Sequence, residues 1–127
     1  MTVANAGPLQ QAVFQAIEGA LEASGQSIKV YDHVPTRAGD EFIRLEGIEA
    51  ADASFKNEER ARHSVQVSFF SRARRGQLRV KEVLGTIHNA LKDLRFGRGR
   101  MQFEYMDVDL GTDTQGDSGA LRYTITL

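Results

Sequence analysis

The chain has 127 residues with 16 basic and 17 acidic side chains, which gives a formal charge of −1. A single domain of this length can bury about two-thirds of its unfolded surface, which is enough for a hydrophobic core. The absence of cysteine excludes disulfides, thiol catalysis and thiolate-bound metal centres. No stretch approaches the roughly 18 apolar residues of a membrane span, and no secretory signal precedes Pro8. We therefore expect a cytoplasmic protein with no membrane partner.

The first half of the chain predicts a helix, two strands and a long loop, at residues 8–24, 28–31, 42–48 and 49–62. Leu9, Val13 and Ile17 recur at helical spacing, and Pro8 is suited to the first turn of a helix. The predicted loop is polar and charged. Because loops of about 12 residues are uncommon unless they are functional or disordered, it is a candidate contact arm.

The second half predicts a strand, a helix and two further strands, at residues 63–71, 77–94, 101–110 and 120–127. Val65, Val67 and Phe69 alternate with polar residues and are expected to face the core. The elements follow the order α-β-β-β-α-β-β. They predict a single α+β domain, residues 1–127, with two helices on one face of a mostly antiparallel sheet of four to five strands.

The strand at 101–110 changes its pattern partway along. Phe103 and Tyr105 are predicted to share one face, whereas Met106, Val108 and Leu110 are predicted to share the other. A β-bulge or a strongly twisted strand near Tyr105 would account for the change.

Charge is unevenly distributed along the chain. Residues 1–53 carry a net charge of −5, residues 54–100 carry +8 and residues 101–127 carry −4. If these segments form separate surfaces, identical copies can attract one another head to tail. Alternatively, the fold mixes the segments and no patch remains.

Residues that could support catalysis or metal binding do not form a convincing motif. His33, His63 and His88 lie too far apart in sequence to form a local metal pair. Asp107, Asp109, Asp113 and Asp117 match a calcium loop poorly, and a hairpin with an acidic tip is the better interpretation. No nucleophile motif or phosphate-binding loop is present. We expect no enzyme activity, no metal and no cofactor.

Two other functional classes remain open. The basic region 72–100, together with Phe103 and Tyr105 as stacking rings, would suit a small nucleic-acid-binding α+β module. A small dimeric protein with an apolar ligand pocket is also compatible with the predicted elements.

Four stretches together resemble the tail-terminator, or tail-completion, family of long-tailed bacteriophages and gene transfer agents. They are Val30–Pro35, Phe42–Gly47, His63–Ser71 and Leu121–Ile125. Their order, and the helices between them, match the family over nearly the whole chain. Two departures concern loops: Asp40 and Glu41 replace the usual Pro-Tyr pair, and the loop 97–100 is unusually basic.

The resemblance implies a structural virion protein and not an enzyme. It implies a hexameric ring that caps the head-proximal end of the tail tube, stops tube polymerisation and offers a joining surface for the head. The implied partners are other copies of the chain, the tail tube protein and the head connector or stopper protein. DNA would pass through the lumen without specific recognition. Assembly would occur in the cytoplasm of a bacterial host.

The same reading assigns candidate contact residues. Six cations are expected to contact the neighbouring subunit or the tube: Lys56, Arg60, Arg62, Arg72, Arg74 and Arg75. A cation-lined lumen would hold DNA tightly, so we expect a neutral or acidic lumen. Candidate lumen residues are Asp107, Asp109 and Asp113.

Overall fold

Two helices and a set of strands alternate along the chain in the computed structural model, which describes residues 4–73, 75–111 and 116–127. The helices are α1 (Ala6–Ala23) and α2 (Gln77–Leu91). The strands are β1 (Lys29–Tyr31), β2 (Glu41–Leu45), β3 (Glu49–Asp52), β4 (Ala61–Ser71), β5 (Arg95–Phe96), β6 (Gly99–Arg100), β7 (Gln102–Leu110) and β8 (Asp117–Thr126). The predicted α+β class is confirmed.

The main sheet has the strand order β1-β2-β4-β8-β7, with β3 pairing with the first half of β4 beside the end of β2. Only the β1–β2 pair is parallel among these described pairs. The sheet therefore has six strands, more than the four to five predicted. The short β5–β6 hairpin forms a separate two-stranded sheet.

Both helices pack against the same face of the sheet, and their apolar residues join those of the strands in one core. Val65, Val67 and Phe69 have no solvent exposure, as their alternation predicts. Helix α2 lies very close to β8 at Gly119, where a Cβ atom would stand 2.7 Å from side-chain atoms of both Val80 and Leu84. No helix in the described ranges is long and apolar enough to cross a membrane.

Several boundaries differ from the sequence prediction. Strand β2, for example, ends at Leu45 and not at residue 48. The predicted loop 49–62 is wrong, because residues 49–52 form β3 on the otherwise open edge of β4. Helix α2 ends at Leu91 and not at residue 94, because a tight turn follows, in which the backbone N–H of Leu94 donates to the Leu91 carbonyl. Strand β8 begins at Asp117 and not at residue 120, because its first residues pair with both β4 and β7.

Candidate assembly interface

Strand β7 forms one edge of the sheet, and no described strand pairs with its outer side. It presents four large apolar side chains to solvent, each between 46% and 49% exposed: Phe103, Tyr105, Met106 and Leu110. A long edge strand with exposed apolar side chains and unpaired backbone groups is a template for pairing with another chain. Its residues Gln102–Leu110 contain neither Lys nor Pro, two residues that commonly protect such edges.

The predicted bulge in β7 is confirmed, but its effect on the two aromatic rings was predicted wrongly. The register shifts between Phe103 and Tyr105. Phe103 lies opposite the buried Tyr123 and stacks edge-on against His88 of α2, so it is on the helix-covered face. Tyr105 lies opposite Arg122, on the uncovered face of the sheet. Because the extra residue at the bulge reverses the alternation, the two rings cannot form one stacking platform for bases.

A hairpin projects from the other side of the sheet. We call residues 49–62, which comprise β3, the tip and the start of β4, the arm. Its tip is closed by two hydrogen bonds between the backbones of Phe55 and Glu58, at 3.0 and 2.9 Å. Lys56 has a φ of 54°, which turns the chain tightly. Phe55 is 67% exposed at this ordered tip, so the arm holds an aromatic side chain out into solvent.

Three of the six predicted contact cations lie on the arm. The Nζ atom of Lys56 stands 5.3 Å from the ring centroid of Phe55. The Nε atom of Arg60 is 3.9 Å from Glu58, which also accepts a 2.7 Å hydrogen bond from Arg98. Arg62 is exposed at the start of β4. Lys56 therefore lies over Phe55, and Glu58 lies beside two arginines, Arg60 and Arg98.

Arg72 and Arg75, two of the other predicted contact cations, lie at the opposite end of β4. The 11 residues of β4 separate the arm from the turn after Ser71 by roughly 33 Å. In that turn the guanidinium of Arg72 lies 5.8 Å from the ring centroid of Phe42, and Arg75 lies 3.6 Å from Glu41. Arg74 lies outside the described residues. The structure thus places these cations at two separate sites and not on one basic surface.

A polar network beside that turn was not predicted from the sequence. Arg79 of α2 donates hydrogen bonds to both carboxylate oxygens of Glu41, at 2.9 and 3.2 Å, and a third to Gln26 at 3.1 Å. Both charged side chains are at most 15% exposed. The hydrogen bond from Arg79 lowers the pKa of Glu41; burial opposes this shift, and a hydrogen bond from Ser71 adds to it. The network joins the end of α1, the start of β2 and the start of α2.

Two of the three candidate lumen aspartates lie together on β7, whereas the nearby Asp117 lies apart from them. Asp107 and Asp109 pair with Ala120 and Ser118, which places them on the uncovered face with Tyr105. Asp117 is buried and accepts a 3.1 Å hydrogen bond from the backbone N–H of Gly76, just before α2. Asp113 lies outside the described residues. Two of the three candidates therefore share one exposed surface.

His63 is fully buried on the core side of β4, and neither of its ring nitrogens has a hydrogen-bond partner in the described chain. An unsatisfied buried polar group costs about 1–3 kcal/mol. We expect His63→Leu to raise the free energy of unfolding by about 1 kcal/mol in urea titrations.

The matched control for this prediction is His88→Leu. The Nδ1 atom of His88 lies 2.7 Å from the hydroxyl oxygen of the buried Tyr123, so this substitution removes a partner and should destabilise. A loss of stability in His63→Leu as large as that in the control would contradict the prediction.

An unpaired apolar strand edge on one side of the sheet, and an ordered arm with an exposed ring on the other, define a small α+β subunit suited to assembly with other chains. In the described ranges no group of three or more His, Asp or Glu side chains could hold a metal ion.

The comparisons with known proteins agree with this class. Residues 11–127 match the model of the family described as tail completion protein gp17. A chain in a structure described as "Virion of native gene transfer agent (GTA) particle" shares 24% identity and a TM-score of 0.78, with 98% of each chain covered. At that identity the likeness establishes the fold. No curated protein matches the sequence.

Because the family model covers nearly the whole chain, the protein belongs to the tail completion protein gp17 family. The resemblance found in the sequence is confirmed, and the protein is a structural component of a phage-like tail.

Proposed function

We propose that this protein forms a ring that caps the head-proximal end of the tail tube, stops tube polymerisation and provides the surface that joins the head. The observation that carries the proposal is the free edge of β7, with its four half-exposed apolar side chains. In an isolated monomer such an edge promotes aggregation, whereas in an assembly it can pair with a neighbouring subunit. Membership in the tail completion family supports a place for that assembly in the tail.

Ring closure requires a head-to-tail contact between two different surfaces of the same chain. The free edge of β7 and the arm are two such surfaces, and they lie on opposite sides of the sheet. Six copies in a closed ring would leave none of these edges open.

The uncovered face of the sheet is our candidate for the lumen wall. Most of its central positions on β4 and β8 are small or uncharged, including Ser64, Ser68, Thr124 and Ala120. The central exception is Arg122, which Glu104 neutralises at 3.1 Å, and Asp107 and Asp109 lie beside it on β7. A face without a continuous basic stripe would let DNA slide past, because each neutralised phosphate adds to binding. A ring structure that turns this face away from the channel would contradict the assignment.

Deleting the gene tests the capping role. We expect particles without this protein to contain tubes of variable, excessive length that fail to join filled heads, because nothing stops tube growth. Electron microscopy of tube lengths and head attachment measures both effects, with the wild-type gene in trans as the rescue control. Tubes of uniform length joined to filled heads in the deletion strain would overturn the proposal.

A further inference from the structure

The charge of β7 determines what can cover its free edge. The strand carries Glu104, Asp107 and Asp109 and no basic residue. Arg122 neutralises Glu104 at 3.1 Å, whereas Asp107 and Asp109 form no ion pair with any described residue. Two β7 strands side by side would therefore bring like charges together, which is unfavourable between paired strands. The edge disfavours a symmetric contact with a second β7 and favours a cationic partner.

The arm carries four acidic and three basic side chains in all, but it offers two cations of complementary charge. Arg60 and Arg98 are held by Glu58, but Lys56 and Arg62 make no ion pair within the described part of the chain. Arg62 on β4 pairs with Thr126 on β8. This pairing places Arg62 on the same uncovered face of the sheet as Asp107 and Asp109. The arm thus combines two free cations with one exposed aromatic ring.

The arm cannot cover the free edge of β7 in its own molecule. Strands β4 and β8 lie between β3 and β7, which separates these two strands by about 14 Å, and the free side of β7 points away from the arm. Contact between the arm and this edge must therefore join two copies of the chain. Because the two surfaces differ, the contact is heterologous and can repeat until a ring closes.

We propose that the arm of one copy docks along the free edge of β7 of the next copy. Phe55 packs against the exposed Phe103 and Met106 of β7. Lys56 and Arg62 face Asp107 and Asp109 on the uncovered side of the sheet, so the seam presents balanced charge to the lumen. The inference rests on the proposed ring and names the two surfaces that form it.

A reciprocal charge exchange tests the contact. Variant one carries Asp107→Lys and Asp109→Lys, and variant two carries Lys56→Glu and Arg62→Glu. We expect each alone to associate at least about tenfold more weakly than the wild type in sedimentation velocity, because its arm and its β7 now repel. An equimolar mixture should recover assembly, since each β7 then meets an arm of opposite charge.

The matched control is Glu18→Lys with Glu22→Lys, two exposed acidic positions on α1 outside both surfaces. It makes the same change in net charge as variant one and should assemble as the wild type does. Unchanged assembly of both variants, or a mixture that stays dissociated, would overturn the inference.

The contribution of the Phe55 side chain to the contact is tested separately. Phe55→Ala should weaken association about tenfold or more, as truncation of a buried aromatic anchor does. Leu78→Ala is the control, because Leu78 is even more exposed, at 81%, and lies on α2 away from the arm. Equal effects of the two substitutions would count against Phe55 as the anchor.

Disulfide trapping tests directly whether two chosen positions lie close together. The chain has no native cysteine that could form a competing disulfide. Phe55→Cys mixed with Met106→Cys should give crosslinked dimers under mild oxidation, about tenfold above the pair Phe55→Cys with Glu22→Cys. Crosslinking no greater than in the control pair would reject the docking.

These outcomes separate the inference from the proposed function. If both charge variants form hexamers normally, the contact between the arm and β7 is rejected, whereas the capping role is unaffected. If the specific crosslink forms but deletion of the gene leaves tails normal, the contact between the arm and β7 is supported and the capping role is rejected.

Discussion

We expect Arg79→Ala to lower the free energy of unfolding by about 3 kcal/mol. The substitution leaves the Glu41 carboxylate, which is 15% exposed, without the two hydrogen bonds that Arg79 donates to it. Breaking a largely buried ion pair by removing one partner costs about 3–5 kcal/mol, and the partial exposure of this pair places it at the lower end. Urea unfolding at neutral pH measures the difference.

The dependence of this loss on pH identifies its cause. Because the pKa of Glu41 is lowered in the folded protein, the pair contributes stability above the unfolded pKa near 4.5 and loses it as the pH falls through the folded pKa. The stability difference between wild type and Arg79→Ala should therefore narrow at acidic pH. A difference that stays constant down to about pH 3 would show that the loss comes from packing and not from the ion pair.

Arg75→Ala is the control for the pair. Its guanidinium lies 3.6 Å from the same Glu41 but is 57% exposed, so the ion pair should contribute less than about 1 kcal/mol. The comparison also bears on function, because Arg75 was predicted to contact other chains. If Arg75→Ala weakens assembly and leaves the monomer stable, Arg75 acts in assembly, whereas Arg79 acts in the stability of the fold.

The regular elements could be predicted because their burial is periodic. Leu9, Val13 and Ile17 of α1, and Val65 and Val67 of β4, are fully buried at the spacing that the sequence shows. The order of these elements carried the resemblance to tail-completion proteins, and the family match over residues 11–127 confirms it.

The arm could not be predicted as a hairpin from its own residues. Glu49–Asp52 has no alternation of apolar and polar residues, and it forms a strand because β4 extends beyond the end of β2 and leaves backbone groups open. Tertiary context, and not local propensity, decides such a short exposed strand. The sequence did identify the segment as a candidate for contact, and that role remains a prediction.

The separation of the predicted contact cations into two sites could not be read from the sequence, for a geometric reason. Lys56 and Arg75 are 19 positions apart in the sequence, but an extended strand between them carries them to opposite ends of the sheet. A one-residue bulge similarly moved Tyr105 to the face opposite Phe103. The pairing of Arg79 could not be predicted, because its partner Glu41 lies 38 positions away in the sequence. Such long-range pairings leave no local signal.

We expect Gly116→Ala to destabilise the fold by about 3 kcal/mol or more. Gly116 has a φ of 88°, a conformation that costs an L-residue with a side chain roughly 1–2 kcal/mol. An added Cβ atom would also stand 2.3 Å from the carbonyl oxygen of Ser71 and 2.8 Å from the Cα of Arg72, so the backbone itself would have to move. Overpacking of this kind typically costs a further 1–3 kcal/mol or so.

Gly19→Ala is the matched control, because it makes the same chemical change inside α1 where an added Cβ meets nothing within 4 Å. It should raise the free energy of unfolding by about 1 kcal/mol through helix propensity. The urea midpoints of the two variants should therefore shift in opposite directions, and a Gly116→Ala variant as stable as the wild type would contradict the close approach.

Since Gly116 fixes the start of β8 against the end of β4, its backbone also sets the position of the turn that carries Arg72 and Arg75. A Gly116→Ala variant that still folds but assembles more weakly than the wild type would indicate that this turn contacts other chains.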